Sequence, residues 1–374
     1  MAAQKTSDVI GKRRSRRKSK VIRWGVVGCG QIAIDKTVPA LLAASGVRLV
    51  AVADVLPARR SLALGLAADA GVTGLRPHPD AASLFADPDV DAVYIALPTG
   101  LHAGAVIAAA QAGKSILCEK PLGRSAEEVA GMIHAARQHD VPLMTGYMSR
   151  FSDPFRKAVE LVQGGAIGKV THVDAHFSYC CLDSYPPGAP GGWRWTDSLG
   201  GGPLLDIGVY LAFGIREILG ERIAQLWPVN CDTVAPDGAA VRDSTLACFR
   251  TEQGTPGTFV TTFSHNASVI RFYGSTGLVV LDQAFRQTPG ACLTCQGKDI
   301  DLVLDTRNDV RIPHFDNYRR EFEHFSAALL TGGSWSPSPE DALADALLLD
   351  TLRRDAVGFP VETASAALAR FSSP

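Results

Sequence analysis

The residues with the clearest potential for acid–base chemistry are a lysine, an aspartate and a tyrosine from two separate stretches. Lys120 ends an apolar run, and Asp206 and Tyr210 follow a glycine triplet at 200–202. A spacing of four residues places Asp206 and Tyr210 on one face of a helix. A phenol beside a carboxylate suits proton transfer to or from a hydroxyl group. A nearby ammonium can orient the reacting oxygen and lower the pKa of an acidic neighbour.

Each of these residues also has a structural interpretation that the spacing leaves open. Lys120 follows Glu119, so the two side chains would form an ion pair at the end of a strand. Tyr210 would pack in the core with its hydroxyl group bonded to a structural partner. Tyrosine titrates near a pH of about 10 in water, so a role as base requires nearby positive charge. Arg150 is a further cation of the same region, but a structural role suits it better.

A third stretch has the spacing of a dinucleotide-binding turn. Gly28, Gly30 and Ala33 form a Gly-x-Gly-x-x-Ala pattern between an apolar strand-like run and a helix-compatible stretch. The first glycine permits a tight turn, the second lets the backbone approach a pyrophosphate, and the alanine permits close packing of helix on strand. Asp54 ends the next apolar run, where it can accept hydrogen bonds from the ribose of a bound adenosine.

The residues after that second run bear on the choice of cofactor. The carboxylate of Asp54 would repel the 2′-phosphate of NADP, which favours NAD. Arg59 and Arg60 follow closely in the sequence, and their guanidinium groups could clamp such a phosphate. We therefore expect NAD as the cofactor, with NADP possible.

The composition is that of a globular protein with one unusual segment. At 374 residues, 46% hydrophobic and 20% charged, the chain is long enough for about two domains. Residues 1–20 contain eight lysines and arginines against one aspartate, which predicts a disordered basic tail. The tail lacks the apolar stretch of an export signal. We expect no membrane span, and nucleic-acid binding is an unfavoured use of the tail.

Eight cysteines stand without the spacing of a disulfide framework. Several lie in apolar strand-like runs, where cysteine behaves as a small hydrophobic residue. Cys292 and Cys295 form a single Cys-x-x-Cys pair without a second pair or a histidine at zinc spacing, so we expect no metal site. The thiols are typical of a reducing compartment, and we expect a cytoplasmic protein.

The apolar pattern divides the chain into two predicted domains. Residues 21–146 alternate strand-like and helix-like segments, which predicts an α/β domain with a doubly wound parallel sheet, the Rossmann fold. Residues 147–374 contain successive runs rich in Val, Thr and Phe, which predict an α+β domain with a large, mostly antiparallel open sheet. A helix over 206–219 interrupts these runs. Two helices near 316–330 and 339–357 end the chain and are placed to pack back on the first domain.

Three motifs together resemble a known family. They are Gly-x-Gly-x-x-Ala at 28–33, Glu-Lys-Pro at 119–121 and Gly-Gly-Gly-Pro-Leu-Leu-Asp-Ile-Gly-Val-Tyr at 200–210. In order and spacing they resemble the glucose–fructose oxidoreductase, inositol dehydrogenase and rhizopine catabolism (Gfo/Idh/MocA) superfamily, over residues 21–365. The resemblance is closest to glucose–fructose oxidoreductase-like sugar dehydrogenases. Many members carry histidine where this chain has Tyr210, and that branch uses tyrosine as its proton carrier.

The resemblance implies an NAD(P)-dependent oxidoreductase that transfers a hydride between nicotinamide and a sugar, sugar derivative or cyclic polyol. Tyr210 would be the acid or base, assisted by Lys120 and Asp206. The residues implied to contact the cofactor are Gly28, Cys29, Gly30, Gln31, Ile32, Asp54, Arg59, Pro98, Thr99, His102, Glu119, Lys120, Trp193, Arg194 and Tyr318. The resemblance also implies a homodimer or homotetramer joined through the open sheet, and substrate contacts from loops such as 183–190.

Two other functions are compatible with these motifs. One is a dihydrodiol dehydrogenase-like enzyme that acts on a non-sugar diol. The other is a nucleotide-sensing regulator that has lost catalysis and uses its basic tail on nucleic acid. The presence of Lys120, Asp206 and Tyr210 together argues against the regulator.

Overall fold

Two β-sheets flanked by helices make up the chain. The computed structural model describes residues 21–234, 240–285, 290–354 and 359–371, so the predicted basic tail at 1–20 lies outside the described residues. In chain order the described strands are β1 Ile22–Val27, β2 Val47–Ala53, β3 Arg76–His78, β4 Ala92–Ile95, β5 Ser115–Glu119, β6 Leu143–Gly146, β7 Val170–Ser178, β8 Ile223–Val234, β9 Ala240–Thr251, β10 Pro256–Thr262, β11 Ala267–Gly274, β12 Leu278–Asp282, β13 Cys292–Gln296, β14 Asp301–Asp305 and β15 Phe359–Pro360. The described α-helices are α1 Val38–Ala43, α2 Pro57–Asp69, α3 Ala81–Phe85, α4 His102–Gln111, α5 Ala126–Gln138, α6 Asp153–Gln163, α7 Cys181–Ser184, α8 Val209–Leu219, α9 Asp316–Thr331, α10 Pro339–Leu352 and α11 Ala364–Phe371.

The first sheet is parallel, and in the described residues it has six strands in the order β3-β2-β1-β4-β5-β6. Its central strands are apolar because both faces are covered; Val93, Tyr94 and Ile95 of β4 are fully buried. The strand order reverses between β1 and β4. In doubly wound sheets ligands bind at such a point, outside the carboxyl ends of the strands. The predicted Rossmann fold is confirmed.

The second sheet has nine strands in the part of the chain that the structure describes, in the order β14-β13-β12-β11-β7-β10-β9-β8-β15. Neighbouring strands are antiparallel except for β7 and β10, which are parallel. Alternate residues face opposite sides, so Ile270 and Phe272 of β11 are fully buried whereas Tyr273 is 37% exposed. The predicted α+β half, with a large and mostly antiparallel open sheet, is confirmed.

The C-terminal helices contact both halves of the chain. On α9, Phe322 packs edge-on against Trp24 of β1 with ring centroids 5.1 Å apart. Ser326 Oγ on the same helix accepts a 3.0 Å hydrogen bond from Trp24 Nε1. On α10, Leu343 and Leu347 belong to the same buried cluster as residues of α5. On its other side α10 contacts the second half, where Asn230 Nδ2 of β8 donates a 3.0 Å hydrogen bond to the carbonyl oxygen of Leu352 and Arg216 Nε of α8 lies 3.0 Å from Asp345 Oδ1. The helix therefore links the second sheet to the first domain.

Four elements differ from the sequence prediction. The helix at 339–357 was expected to end the chain, but α11 follows it at Ala364–Phe371. The helix predicted over 206–219 begins earlier, as a π-helical turn at Leu204–Gly208 that continues into α8. The helix predicted to reach 357 ends at Leu352, and residues 355–358 lie outside the described residues. The prediction omits α6, because strand-rich sequence surrounds it. Its N-terminal cap was nevertheless a usable signal, since Ser152 Oγ accepts a 3.3 Å hydrogen bond from Phe155 N.

One described segment, Asp197–Leu219, is long and apolar enough by length and composition to cross a membrane. In the structure 83% of its most apolar window is buried inside the protein. A helix surrounded by apolar neighbours in a globular core has the same composition. Leu211, Phe213 and Ile215 of α8 are fully buried, so the segment is accounted for as part of the core.

Candidate active site

The candidate active site is a cleft at the carboxyl ends of β1, β4 and β5, closed by the segment around α8 and by α9. Residues from both halves of the chain therefore line it. All but two of the residues predicted to touch cofactor or substrate line this cleft: Gly28, Gly30, Gln31, Ile32, Asp54, Arg59, Pro98, Thr99, Glu119, Lys120, Trp193, Arg194, Asp206, Tyr210 and Tyr318.

The glycine turn has the shape required to hold a pyrophosphate. Gly28 has a φ of +92°, and a Cβ added there would lie 2.6 Å from the carbonyl oxygen of Ala96, so only glycine fits. A Cβ at Gly30 would meet no atom within 4 Å, which leaves room for a ligand at this point. The first intrahelical hydrogen bond runs from Ile34 N to Gly30 O (3.0 Å), so the Gln31 N–H precedes it and can bind an anion. These features fit the phosphates of a dinucleotide.

Asp54 holds the glycine turn in place as well as lining the cleft. Its Oδ2 accepts a 2.9 Å hydrogen bond from Cys29 N, and its Oδ1 accepts one of 2.9 Å from Leu56 N. A carboxylate oxygen accepts two hydrogen bonds, so both oxygens keep capacity for a ribose hydroxyl. Arg59 Nη1 lies 3.9 Å from Asp54 Oδ2. A cation thus stands beside the predicted ribose position.

Cys29 and His102 are predicted cofactor contacts whose side chains lie behind the cleft lining. Cys29 is 1% exposed, and its Sγ lies 3.8 Å from Ala53 O. His102 is also 1% exposed, with Nε2 2.8 Å from Leu97 O and Nδ1 3.0 Å from Pro121 O. Burial lowers the pKa of His102. Its ring connects two strand-end turns, so these side chains shape the cleft from behind.

Lys120 brings the two predicted catalytic stretches together. Its Nζ donates a 2.6 Å hydrogen bond to the carbonyl oxygen of Asp206 and lies 3.6 Å from Asp206 Oδ1. The same Nζ lies 4.6 Å from the centroid of the Tyr210 ring. Burial lowers the pKa of Lys120, while the carboxylates of Asp206 and Glu119 oppose that shift. Glu119 accepts a 3.2 Å hydrogen bond from the Lys120 backbone N–H, so the ammonium itself is directed to Asp206.

Asp206 is a buried carboxylate with several polar neighbours. Its Oδ2 accepts hydrogen bonds from Arg194 Nε at 2.8 Å and from the Tyr179 hydroxyl at 2.6 Å. Burial favours the neutral acid, but the cations Arg194 and Lys120 prevail and lower the pKa of Asp206 to about 2. Asp206 is therefore ionised at neutral pH. Sequence analysis missed Tyr179, because it lies 27 residues from Asp206 and forms no local pattern with it.

Tyr210 combines a core position with a place in the cleft. Only 3% of its surface is exposed, yet it belongs to the cleft lining. Its ring lies 5.8 Å from that of Phe177 and 5.7 Å from that of Phe285, measured between centroids. The rings of Tyr210 and Tyr147 meet edge-on at 6.5 Å. The aromatic packing therefore fixes the direction of the phenol and leaves it next to the cleft.

The electrostatic surroundings of Tyr210 differ from the expectation. The sequence analysis expected Lys120 to make the phenol more acidic. In the structure burial, followed by the charges of Glu119, Asp206 and Glu321, raises the pKa of Tyr210 well above its ordinary value. The three carboxyl groups come from different elements, so the sequence pattern around Tyr210 could not reveal them. The phenol is neutral in this state of the protein.

One side of the cleft is formed by stacked aromatic and guanidinium groups. The guanidinium carbon of Arg194 lies 4.1 Å from the ring centroid of Tyr185 and 4.8 Å from that of Trp193. Gly191, at φ +90°, leaves space for Tyr185, since a Cβ there would lie 2.4 Å from its ring. Tyr185 and Pro190 belong to the loop 183–190 that was expected to contact substrate. The lining residues outside the sets that the sequence analysis named are Asp35, Ala96, Leu97 and Gly191.

Two further expectations concern residues away from the cleft. Arg150 pairs with Glu217, with Nε 2.7 Å from Oε1, and does not line the cleft. Cys292 and Cys295 lie on β13 in the second sheet. Among the residues that the structure describes, no three His, Cys, Asp or Glu side chains converge as a metal site would require.

The sequence matches two family models. Residues 22–147 match the one described as oxidoreductase family, NAD-binding Rossmann fold, and residues 155–280 match the Gfo/Idh/MocA C-terminal domain. The dTDP-3,4-didehydro-2,6-dideoxy-alpha-D-glucose 3-reductase of Actinomadura kijaniata is 30% identical, over 90% of this chain and 96% of its own. The D-xylose 1-dehydrogenase (NADP(+)) 2 of Haloferax volcanii is 30% identical, over 89% and 97%.

A solved structure agrees with these sequence matches. The aldose-aldose oxidoreductase from Caulobacter crescentus superposes with a TM-score of 0.78 at 26% identity, over 90% of this chain and 97% of that one. The expectations of a nicotinamide cofactor and of an NAD(P)-dependent oxidoreductase acting on CH–OH groups are confirmed. The two domain models, the relatives and the cleft geometry agree, and the chain belongs to the Gfo/Idh/MocA oxidoreductase family.

Proposed function

We propose that the protein transfers a hydride between a nicotinamide cofactor and a CH–OH carbon of a sugar, sugar derivative or cyclic polyol. The observation that carries this proposal is the meeting of Lys120, Asp206 and Tyr210 in the cleft that also contains the glycine turn. The relatives described above are named for a dTDP-linked deoxysugar, for D-xylose and for aldoses. These names support a carbohydrate substrate.

The cofactor supplies the redox chemistry, since a bound nicotinamide accepts or delivers the hydride. In this chain the glycine turn and the N–H groups of Gln31 and Ile32 would hold the phosphates. Asp54 would accept hydrogen bonds from the adenosine ribose, and its charge favours NAD over NADP. Thr99 and Tyr318 line the remainder of the cleft and would contact the bound dinucleotide.

Tyr210 would handle the proton at the substrate oxygen. In the reducing direction its hydroxyl group donates a proton to the carbonyl oxygen, a role that suits a phenol kept neutral by its surroundings. In the oxidising direction the phenol would first release its own proton to water, and the resulting tyrosinate oxygen would then take the proton of the substrate hydroxyl. The ammonium of Lys120, 4.6 Å from the ring, would stabilise the tyrosinate that this direction requires.

Lys120 and Asp206 would prepare the site before substrate arrives. Asp206 is fixed by Arg194 and Tyr179, and it holds the Lys120 ammonium through its carbonyl oxygen and its carboxylate. Donors that are already in position need no reorganisation during the reaction. Lys120 would then donate a hydrogen bond to the substrate oxygen, and Asp206 would keep the ammonium charged and in place.

A substrate panel tests this function. Purified protein would be offered aldoses, inositols and aromatic diols with NAD and with NADP, while the absorbance of reduced nicotinamide is followed. We expect turnover with at least one sugar or cyclic polyol. Turnover with aromatic diols alone would favour a dihydrodiol dehydrogenase. Failure on the whole panel, together with salt-sensitive binding to DNA, would favour a regulator.

The exposed face of the second sheet would join copies of the chain. Strand register places Val229 of β8, Leu246 of β9 and Val303 of β14 on this one face, and they are 62%, 42% and 65% exposed. A contiguous exposed apolar patch is typical of an interface between subunits, and Val229 and Leu246 are direct neighbours across the ladder of β8 and β9. We propose a homodimer or homotetramer formed through this face.

A further inference from the structure

Glu321 is a buried carboxyl group that the proposed reaction does not use. It lies on α9, one turn after Tyr318, and is fully buried, whereas Tyr318 lines the cleft. Within the described part of the chain, neither Oε1 nor Oε2 of Glu321 has a hydrogen-bond partner. An ionised carboxylate is strongly destabilised in such surroundings unless donors or a cation compensate for the lost water. A protonated carboxyl group avoids most of that cost.

A second buried glutamate stands beside it. Glu119, at the end of β5, accepts hydrogen bonds from the Tyr94 hydroxyl and from the Lys120 backbone N–H. Gly146 separates the two glutamates: a Cβ added there would lie 3.5 Å from Glu119 Cα and 3.7 Å from Glu321 Oε2. Because like charges disfavour each other at short range, the charge of Glu119 opposes the ionisation of Glu321.

Their surroundings decide which glutamate carries the charge. Burial raises the pKa of Glu119 as well, but the Lys120 charge and the hydrogen bonds from Tyr94 and the Lys120 backbone N–H oppose that shift and favour its ionised form. For Glu321, burial and then the charge of Glu119 raise the pKa well above its ordinary value. The backbone N–H of Tyr147 acts in the opposite direction but makes no well-aligned hydrogen bond to Glu321.

We propose that Glu321 retains its proton at neutral pH and is a positioning residue that leaves Glu119 as the one charged glutamate of this pair at the catalytic cleft. The positioning role of Glu321 rests on the proposed function, whereas the protonation of Glu321 does not. When Glu119 alone is charged, Lys120 Nζ keeps its 2.6 Å hydrogen bond to the carbonyl oxygen of Asp206. A second charge beside Glu119 would draw the Lys120 ammonium away from Asp206 and from Tyr210.

Other titratable groups adjoin this pair and must be separated from it in any test. An ionised Glu321 would act on Tyr94 of β4, Tyr210 of α8 and Tyr318 of α9. Each of these phenols has its pKa raised well above the ordinary value, chiefly by burial. Burial thus favours the neutral form of all three phenols, and Lys120 is the cation beside Glu119.

The direct test is infrared difference spectroscopy of the cofactor-free protein at pH 7, comparing wild type with Glu321→Gln. Glutamine has the size of glutamic acid and no proton to lose. We expect the wild type to show the carbonyl band of a protonated carboxyl group that the variant lacks. A difference confined to carboxylate bands would overturn the proposal. Glu127→Gln, which changes an exposed glutamate on α5, controls for the substitution itself.

The pH dependence of the free energy of unfolding provides a second readout, which needs no turnover. The unfolded chain releases the Glu321 proton above a pH of about 4.5, whereas the folded protein retains it. Folding is therefore disfavoured as pH rises toward the folded pKa, and Glu321→Gln escapes this loss. We expect the ratio of unfolding constants, wild type over variant, to rise about tenfold per pH unit between about pH 6 and 7. A ratio independent of pH would overturn the proposal.

The positioning role of Glu321 in catalysis is tested by the pH dependence of turnover. In the wild type, ionisation of Glu321 at alkaline pH should reduce turnover, and Glu321→Gln should move that decline to higher pH. If the alkaline decline in turnover occurs at the same pH in Glu321→Gln as in the wild type, although the infrared band of the protonated carboxyl group is present, the positioning role is overturned and the protonation stands. If the substrate panel gives no turnover, the proposed function fails, while the infrared and stability measurements still decide the state of Glu321.

Discussion

The ammonium of Lys120 lies 4.6 Å from the centre of the Tyr210 ring, and the two residues come from different halves of the chain. Lys120 follows β5 of the parallel sheet, whereas Tyr210 lies at the start of α8. The carbonyl oxygen of Asp206 accepts a hydrogen bond from the same ammonium, so the cation is held in a defined position. The proposed proton chemistry on Tyr210 therefore depends on how the two halves pack as much as on either residue.

Replacement of Tyr210 by phenylalanine should remove the proton donor while the aromatic packing remains. We expect kcat to fall about 100-fold or more, because a positioned acid or base typically contributes 10²- to 10⁴-fold. Nicotinamide binding, followed by fluorescence titration, should change little. Tyr147→Phe is the matched control, since it deletes a neighbouring buried hydroxyl that donates to Asp345 at 2.9 Å. Equal turnover of the two variants would contradict the assignment of Tyr210.

Replacement of Asp206 by asparagine should lower both stability and activity. In the wild type the depressed pKa of about 2 stabilises the fold above the unfolded value of 3.8, and this contribution is lost as pH falls toward 2. The shift corresponds to about 2 kcal/mol. Denaturant titrations at pH 7 and in acid should show a pH-dependent component that Asp206→Asn lacks. If the free energy of unfolding of Asp206→Asn falls in acid as much as that of the wild type, Asp206 is not the ionised group.

The two glycines of the phosphate turn should respond differently to alanine. Gly28→Ala forces a side chain into a φ of +92° and to within 2.6 Å of a carbonyl oxygen, so we expect destabilisation of about 1–3 kcal/mol. Gly30→Ala meets no atom within 4 Å and should leave the melting temperature nearly unchanged. It should instead weaken dinucleotide binding, because the methyl group occupies space that a pyrophosphate requires. Thermal melts and nicotinamide titrations separate the two effects.

The choice between NAD and NADP should depend on the charge at Asp54. Asp54→Ser removes the repulsion of a 2′-phosphate and leaves Arg59 free to bind one. We expect the ratio of kcat/KM for NADP over NAD to rise on the order of tenfold, about 1.4 kcal/mol. Arg59→Ala in the same background should reverse most of that gain. If the kcat/KM ratio for NADP over NAD keeps its wild-type value in both variants, the 2′ position of the bound cofactor does not lie beside Asp54.

How much the sequence reveals depends on how local each feature is. The glycine turn and Asp54 follow strands at fixed distances, so the pattern locates them and the Rossmann fold together. Tyr179 and Glu321 meet the site only through the packing of β7 and α9 on other elements, and no spacing points to them. The raised pKa of Tyr210 shows the same limit, because it depends first on burial and then on carboxyl groups from three elements.

The open sheet face yields the last prediction, which concerns assembly. Leu246 on β9 is 42% exposed and faces the same side as Val229 on β8, its partner across the ladder. A charge in the middle of an apolar interface is costly when it has no partner, so Leu246→Arg should dissociate the oligomer. Light scattering should then report a smaller mass at concentrations where the wild type is assembled. Val310→Arg, at a 97% exposed position outside the sheet, should keep the mass of the wild type. An unchanged mass for Leu246→Arg would exclude this face as the contact, and a monomeric wild type would exclude the assembly itself.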